Sequence, residues 1–164
     1  MPALSTGMTA PSFQLPTTTG ERLSLPEALA RGPVLLAFFK VSCPTCQFTF
    51  PFLQRLYEQL REQGVQTWGI AQDKAADGVR FAAAFGITFP ILVDNSPYKV
   101  SRAYGLTHVP SLYLIQPDGR IEISGEGFCK ADLLAIQQSM AQSLSATPPA
   151  LFLPSERIPE FKPG

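Results

Sequence analysis

Two cysteines separated by Pro44 and Thr45 are the residues of this chain best suited to covalent chemistry. Cys43 directly precedes a proline, which is favoured at the first position of a helix. Unpaired backbone N–H groups and the helix dipole stabilise a thiolate at such a position. Cys46 follows one turn later on the same helix face, within reach of a mixed disulfide on Cys43. The spacing therefore predicts a nucleophilic Cys43 and a resolving Cys46.

Structural zinc is the main alternative for a pair of cysteines at this spacing, and it requires a second pair of ligands. The third cysteine, Cys129, and the single histidine, His108, stand alone in the sequence. Dithiol redox chemistry is therefore the preferred interpretation, and no metal or other cofactor is predicted.

The element that must position the cysteines is the apolar run Val34–Phe39. A run of this length, with β-branched and aromatic members, is typical of a central strand buried on both faces. After the cysteines, apolar residues recur at spacings of three and four, which predicts a helix packed on the sheet. This predicted stripe consists of Phe48, Phe52, Leu53, Leu56, Tyr57 and Leu60. Pro51 is expected to kink the helix, and Gly64 is expected to end it.

The rest of the chain alternates predicted strands and helices and then forms a hairpin, which is an α/β order. Residues 7–33 read as an N-terminal hairpin that turns at Thr19 and Gly20, followed by a short helix. Further strands are predicted at residues 65–71, 89–94, 112–115 and 120–124, and further helices at 77–85, 98–104 and 130–144.

One domain is expected at 164 residues, and we assign it to residues 1–144. Residues 145–164 form a C-terminal tail with five prolines in twenty residues, which excludes a regular helix or central strand. Disorder is the simplest interpretation of this tail. Its apolar side chains fit equally well with packing along its own domain or a partner subunit: Leu151, Phe152, Leu153, Ile158 and Phe161.

These features resemble the thioredoxin-like superfamily, in particular the redoxin branch of thiol-disulfide oxidoreductases similar to TlpA and ResA. The likeness covers roughly residues 7–142. Pro51 stands where the family keeps a proline in its active-site helix, and residues 105–119, GLTHVPSLYLIQPDG, resemble the family's loop, cis-proline, strand and turn. The resemblance implies a three-layer α/β sandwich, with a mixed central sheet, helices on both faces and an added N-terminal hairpin.

The same resemblance implies that Pro110 is a cis-proline facing the disulfide, beside a Val109 backbone that pairs with an extended substrate. Pro44, Thr45, Val109 and Pro110 are therefore predicted to bind the substrate. An ordinary trans proline at the start of a strand is the alternative for Pro110.

Three more residues could modulate this site. The charge of Lys40 could stabilise a thiolate, His108 could relay a proton, and Cys129 could form an alternative disulfide or be glutathionylated. Each also has an ordinary role, because loop lysines and histidines commonly face solvent and free cysteines commonly pack as small apolar residues.

The chain departs from the thioredoxin pattern where a base is needed. Ala37 occupies the position of the buried aspartate that assists the resolving thiol, Ser42 replaces a tryptophan, and Thr49 stands where TlpA-like proteins often carry glutamate. Either Lys40, His108 or water would then accept the proton of Cys46, or turnover would be slow.

A thiol-disulfide oxidoreductase is the preferred function, with a protein disulfide or small thiol compound as substrate and a reductase or thiol as electron partner. A peroxiredoxin-like thiol peroxidase with antioxidant activity is the alternative, because GMTAPSF, CPT and residues 85–105 resemble peroxiredoxins. Lys40 and Val109–Pro110 replace the residues that polarise peroxide there, so weak peroxidase activity is expected. A Sco-like Cu(I) carrier ranks last, because that branch spaces its cysteines by three residues.

The charge balance limits the partners. Thirteen basic and thirteen acidic residues give a net charge of zero, which does not favour nucleic acid. No apolar stretch approaches the roughly 18 residues of a membrane span, and the N-terminal sequence lacks a signal peptide pattern. We therefore expect a cytoplasmic protein that is a monomer or a weak homodimer.

Overall fold

A computed structural model describes residues 3–141 and 148–164. Its main sheet has five strands, and its helices lie on both faces of that sheet. The elements in chain order are β1 (Gln14–Pro16), β2 (Arg22–Ser24), α1 (Leu25–Leu29), β3 (Val34–Phe39), α2 (Pro44–Leu60), β4 (Gln66–Ala71), α3 (Ala75–Phe85), β5 (Ile91–Val93), α4 (Lys99–Ala103), β6 (Ser111–Ile115), β7 (Ile121–Glu126), β8 (Phe128–Cys129), α5 (Lys130–Ala141) and β9 (Phe161–Lys162).

Strand β3 is the centre of the sheet, whose order is β5-β4-β3-β6-β7. It pairs parallel with β4 and antiparallel with β6, so the sheet is mixed as predicted. Every residue of β3 is buried, because alternate side chains enter two separate apolar clusters. One cluster holds Leu35, Ala37 and Phe39 with the buried faces of α2, α3 and α5, and the other holds Val34, Leu36 and Phe38 with α1 and α4.

The predicted N-terminal hairpin is present. Strands β1 and β2 pair antiparallel with Leu15 opposite Leu23, and Gly20 in the turn has a φ of +93°. A positive φ suits glycine, which has no Cβ to clash with the backbone. The hairpin is tied to the sheet by an isolated bridge between Thr17 and Leu92.

Helix α2 carries the cysteine pair and runs through Pro51 to Leu60. A short 3₁₀ turn, Arg61–Gln63, continues it as far as Gly64, whose φ is +81°. The apolar stripe differs from the prediction in one respect, because Phe50 is fully buried although it was not assigned to the stripe. Phe50 contacts Phe39 of the central strand, whereas Phe52 contacts Phe152 of the C-terminal segment. The helix is therefore covered on two sides.

The C-terminal segment, residues 148–164, packs against the domain. Leu151 is 1% exposed and joins the same cluster as the core of α2 and α5. Strand β9 pairs antiparallel with β8, with Phe161 opposite Cys129. The predicted ends of the last helix and the start of the tail, residues 142–147, lie outside the described residues.

Candidate active site

Cys43 and Cys46 lie at the N-terminal end of α2, directly after the central strand. Cys43 is the N-cap residue of the helix, and its sulfur accepts a hydrogen bond from the backbone N–H of Cys46 at 3.1 Å. Cys43 is half-buried, Cys46 is fully buried, and both thiols are free. A disulfide substrate can reach only a sulfur that is accessible, so this difference in exposure fits attack by Cys43 and resolution by Cys46.

Burial raises the pKa of the Cys46 thiol well above its ordinary value, and the hydrogen bond with Cys43 raises it further. The negative charge of Asp73 adds to the rise in pKa. Cys46 is therefore a neutral thiol at neutral pH, and it must lose its proton before it can attack a mixed disulfide.

Asp73 is the site residue that the sequence analysis missed. It follows β4, and its Oδ2 accepts a hydrogen bond from the backbone N–H of Val41 at 2.9 Å. Since β3 and β4 are parallel neighbours, their carboxyl ends lie at the same edge of the sheet. A carboxylate thus reaches the dithiol region from the neighbouring strand, whereas Ala37 within β3 carries none. An aspartate two residues after a buried strand was the available signal.

The loop before β6 faces the cysteines. The peptide bond between Val109 and Pro110 is cis. The carbonyl oxygen of Val109 accepts a hydrogen bond from the Cys43 thiol at 3.6 Å, and that of Pro110 accepts one from the backbone N–H of Gly127 at 2.8 Å. Ser111 steadies the loop, because its hydroxyl donates to the carbonyl of His108 at 2.7 Å. The structure thereby brings Val109 and Pro110 beside the predicted nucleophile.

A cavity of about 420 Å³ opens beside Cys43. Lys40, Pro44, His108, Val109 and Gly164 are among its lining residues. Its volume lies within the range of roughly 300–1,000 Å³ that small-molecule sites occupy. The cavity therefore leaves room for a small reactant next to the accessible sulfur.

The predicted modulators lie at different distances from the chemistry. Lys40 and His108 both line the cavity, and the His108 ring is 58% exposed with its Nδ1 3.7 Å from Glu126. Cys129 lies in β8 and is half-buried against β9. It is not among the residues that line the cavity, which favours its packing role.

Two of the predicted substrate-binding residues contact the C-terminal segment. The hydroxyl of Thr45 donates a hydrogen bond to the carbonyl of Pro163 at 2.6 Å. Gly164 lies against the backbone of Val109, so closely that a Cβ at residue 164 would overlap the Val109 carbonyl oxygen. The segment therefore extends to the mouth of the site.

Within residues 3–141 and 148–164, no group of three or more His, Cys, Asp or Glu side chains is arranged to hold a metal ion. Over the same residues, no helix has both the length and the apolar composition that crossing a membrane requires.

Comparisons with known proteins agree with this geometry. Residues 6–124 match the AhpC/TSA family. Thiol-disulfide oxidoreductase ResA of Geobacillus thermodenitrificans is 32% identical over 121 residues, which cover 73% of this chain and 68% of the relative. ResA of Bacillus subtilis is 30% identical over 120 residues, covering 73% and 66%. The chain thus spans about two thirds of the length of these curated relatives.

A solved structure is also similar over its whole length. The crystal structure of a putative thiol:disulfide interchange protein DsbE from Chlorobium tepidum matches with a TM-score of 0.76 and 28% identity. The match covers 87% of this chain and 100% of that chain. The three-layer fold that the sequence predicts is therefore also the fold of this solved structure.

Proposed function

This chain belongs to the AhpC/TSA family, and from that premise we propose that Cys43 and Cys46 carry out thiol-disulfide exchange. The chain is a thiol-disulfide oxidoreductase with a thioredoxin-like fold, related to ResA. One observation supports the proposed roles above all: an accessible Cys43 sulfur accepts the N–H of Cys46 while the Cys46 side chain is fully buried.

The first step is attack by Cys43. Its thiolate attacks one sulfur of a substrate disulfide, so that a mixed disulfide forms and the other sulfur leaves as a thiolate. The N–H of Cys46 and the N-terminal end of α2 stabilise the negative charge on Cys43 before attack.

The second step is resolution by Cys46. After losing its proton, Cys46 attacks the Cys43 sulfur, forms the Cys43–Cys46 disulfide and releases the second substrate thiolate. Two electrons pass from the dithiol to the substrate, and its two sulfurs leave as thiols once protonated. Asp73 is our candidate for the proton acceptor, because its charge acts on Cys46 and a neutral thiol there needs a base.

A reductase or a thiol must then restore the dithiol, since each turnover consumes two electrons. The substrate must contain a disulfide bond, as the names of the related thiol-disulfide oxidoreductases imply. The cytoplasmic location remains a prediction, and fractionation of the producing cells tests it.

Three serine variants test the roles of the cysteines. We expect Cys43→Ser to abolish disulfide reduction, and Cys46→Ser to accumulate a mixed disulfide on Cys43 that mass spectrometry detects. Cys129→Ser is the matched control, since it also removes a half-buried thiol but leaves the dithiol intact, and it should keep turnover within about twofold. Full turnover by Cys46→Ser would exclude the dithiol mechanism.

A further inference from the structure

Residues 161–164 run along the mouth of the active site. Thr45 holds the Pro163 carbonyl, and Gly164 contacts the Val109 backbone. Gly127 permits this close approach from the other side. A Cβ at residue 127 would overlap the Lys162 carbonyl oxygen and lie 3.2 Å from the backbone nitrogen of Gly164.

These contacts occupy the groups that an extended polypeptide would use. A bound peptide strand gains its affinity from hydrogen bonds to exposed backbone groups of its host. The Val109 carbonyl is such a backbone group. It lies next to the nucleophile, since it accepts a hydrogen bond from the Cys43 thiol. With Gly164 against the Val109 backbone, a peptide strand cannot lie there at the same time.

The segment is anchored along its length. Glu156 makes two hydrogen bonds of 2.7 Å with the guanidinium of Arg55, and the Lys130 N–H donates to the Glu160 carbonyl at 2.9 Å. Leu151 is buried in the domain core. Strand pairing at Phe161 then directs the last residues toward the site.

The cavity beside Cys43 stays open while this segment is in place. Its volume of about 420 Å³ suits a compact molecule, and the exposed Lys40 ammonium at its lining can pair with a carboxylate. We infer that residues 161–164 determine specificity, so that the chain reduces small amino-acid disulfides and excludes extended polypeptide disulfides. This inference rests on the proposed thiol-disulfide exchange and names its substrate class.

With such a substrate, the first turnover needs no further reactant, because the reduced dithiol supplies both electrons and both protons. Cys43 and Cys46 become one disulfide, the S–S bond of the amino-acid disulfide breaks, and two amino-acid thiols leave with the two protons of the dithiol. Each fully reduced chain is therefore oxidised by one molecule of cystine, the probe of this class.

A single-turnover experiment tests the inference. The pre-reduced chain is mixed with excess cystine or excess insulin, quenched by alkylation, and its oxidation to the Cys43–Cys46 disulfide is followed by mass spectrometry. We expect the intact chain to react at least tenfold faster with cystine. A chain lacking residues 161–164 should raise the insulin-to-cystine rate ratio at least tenfold.

Two substitutions accompany this experiment, one as a second test and one as a control. Gly164→Val keeps the full length but places a side chain against the Val109 carbonyl, and it should also raise the ratio. Arg157→Gln alters an exposed residue of the same segment and should leave the ratio unchanged. Equal rates for the two substrates, or a ratio that neither the deletion nor Gly164→Val changes, would overturn the inference while leaving thiol-disulfide exchange intact. Failure of every chain to react with either disulfide would overturn the proposed function itself.

Discussion

Leu151 provides a direct test of whether residues 148–164 belong to the folded domain. The side chain is 1% exposed and lies in the cluster that also contains Leu53 and Ile136. Truncation of a buried leucine to alanine removes apolar contacts and leaves a cavity, which together destabilise a protein by about 2–5 kcal/mol. We therefore expect Leu151→Ala to lower the free energy of unfolding by about 3 kcal/mol.

Urea unfolding followed by circular dichroism measures this loss. With a slope of about 2 kcal/mol per molar urea, a loss of about 3 kcal/mol moves the midpoint down by about 1.5 M. Leu153→Ala is the matched control, because the same truncation two residues later affects a side chain that is 49% exposed. A surface change of this kind should stay within about 0.5 kcal/mol. If Leu151→Ala shifts the midpoint no more than Leu153→Ala, the segment is not part of the cooperative core.

Two further predictions concern titration, and a third concerns the base that deprotonates Cys46. Hydrogen bonds from Arg55 and from the Leu153 N–H hold the pKa of Glu156 down at about 2, so their contribution to docking is complete above the ordinary value of 4.5 and is lost as the pH falls toward 2. The protection factors of the Lys130 and Lys162 backbone amides, which compare observed with intrinsic hydrogen exchange at each pH, should therefore fall over that interval. Unchanged protection factors would contradict the anchor. Because burial raises the pKa of Cys46, resolution of a mixed disulfide should keep accelerating with pH beyond about 8.5, the ordinary thiol pKa. Asp73→Asn keeps an oxygen that can accept the Val41 N–H, and it should slow resolution at pH 7 by about tenfold. The control Glu62→Gln changes an exposed carboxylate and should leave the rate of resolution unchanged. If Asp73→Asn also leaves that rate unchanged, Asp73 is not the base.

Much of the fold could be predicted because its signals are local. The uninterrupted apolar run of β3 and the turn at Gly20 each specify their element within a few residues. The proline after Cys43 likewise indicates the start of α2. The cysteine pair could be assigned to the head of this helix for the same reason, since the strand and the helix directly flank it.

The missed features depend on contacts between residues far apart in sequence. Asp73 acts on Cys46 only because β4 is the parallel neighbour of β3, and nothing near Asp73 in the sequence indicates that pairing. The sequence does not predict whether residues 148–164 pack on the domain, because their prolines interrupt any regular spacing of apolar residues. Its strand pairing is only two residues long, and a window of that size carries no strand signal.

Helix α2 is packed on two sides, by the central sheet and by the C-terminal segment, and this has a practical consequence for protein engineering. A chain cut after the last helix would uncover the phenylalanine rings that face Phe152, namely Phe52 and Phe128. Adjoining apolar rings exposed to solvent promote self-association. A redox unit grafted onto another protein should therefore keep residues 148–160, and residues 161–164 are the ones to vary in order to test access to the sulfurs.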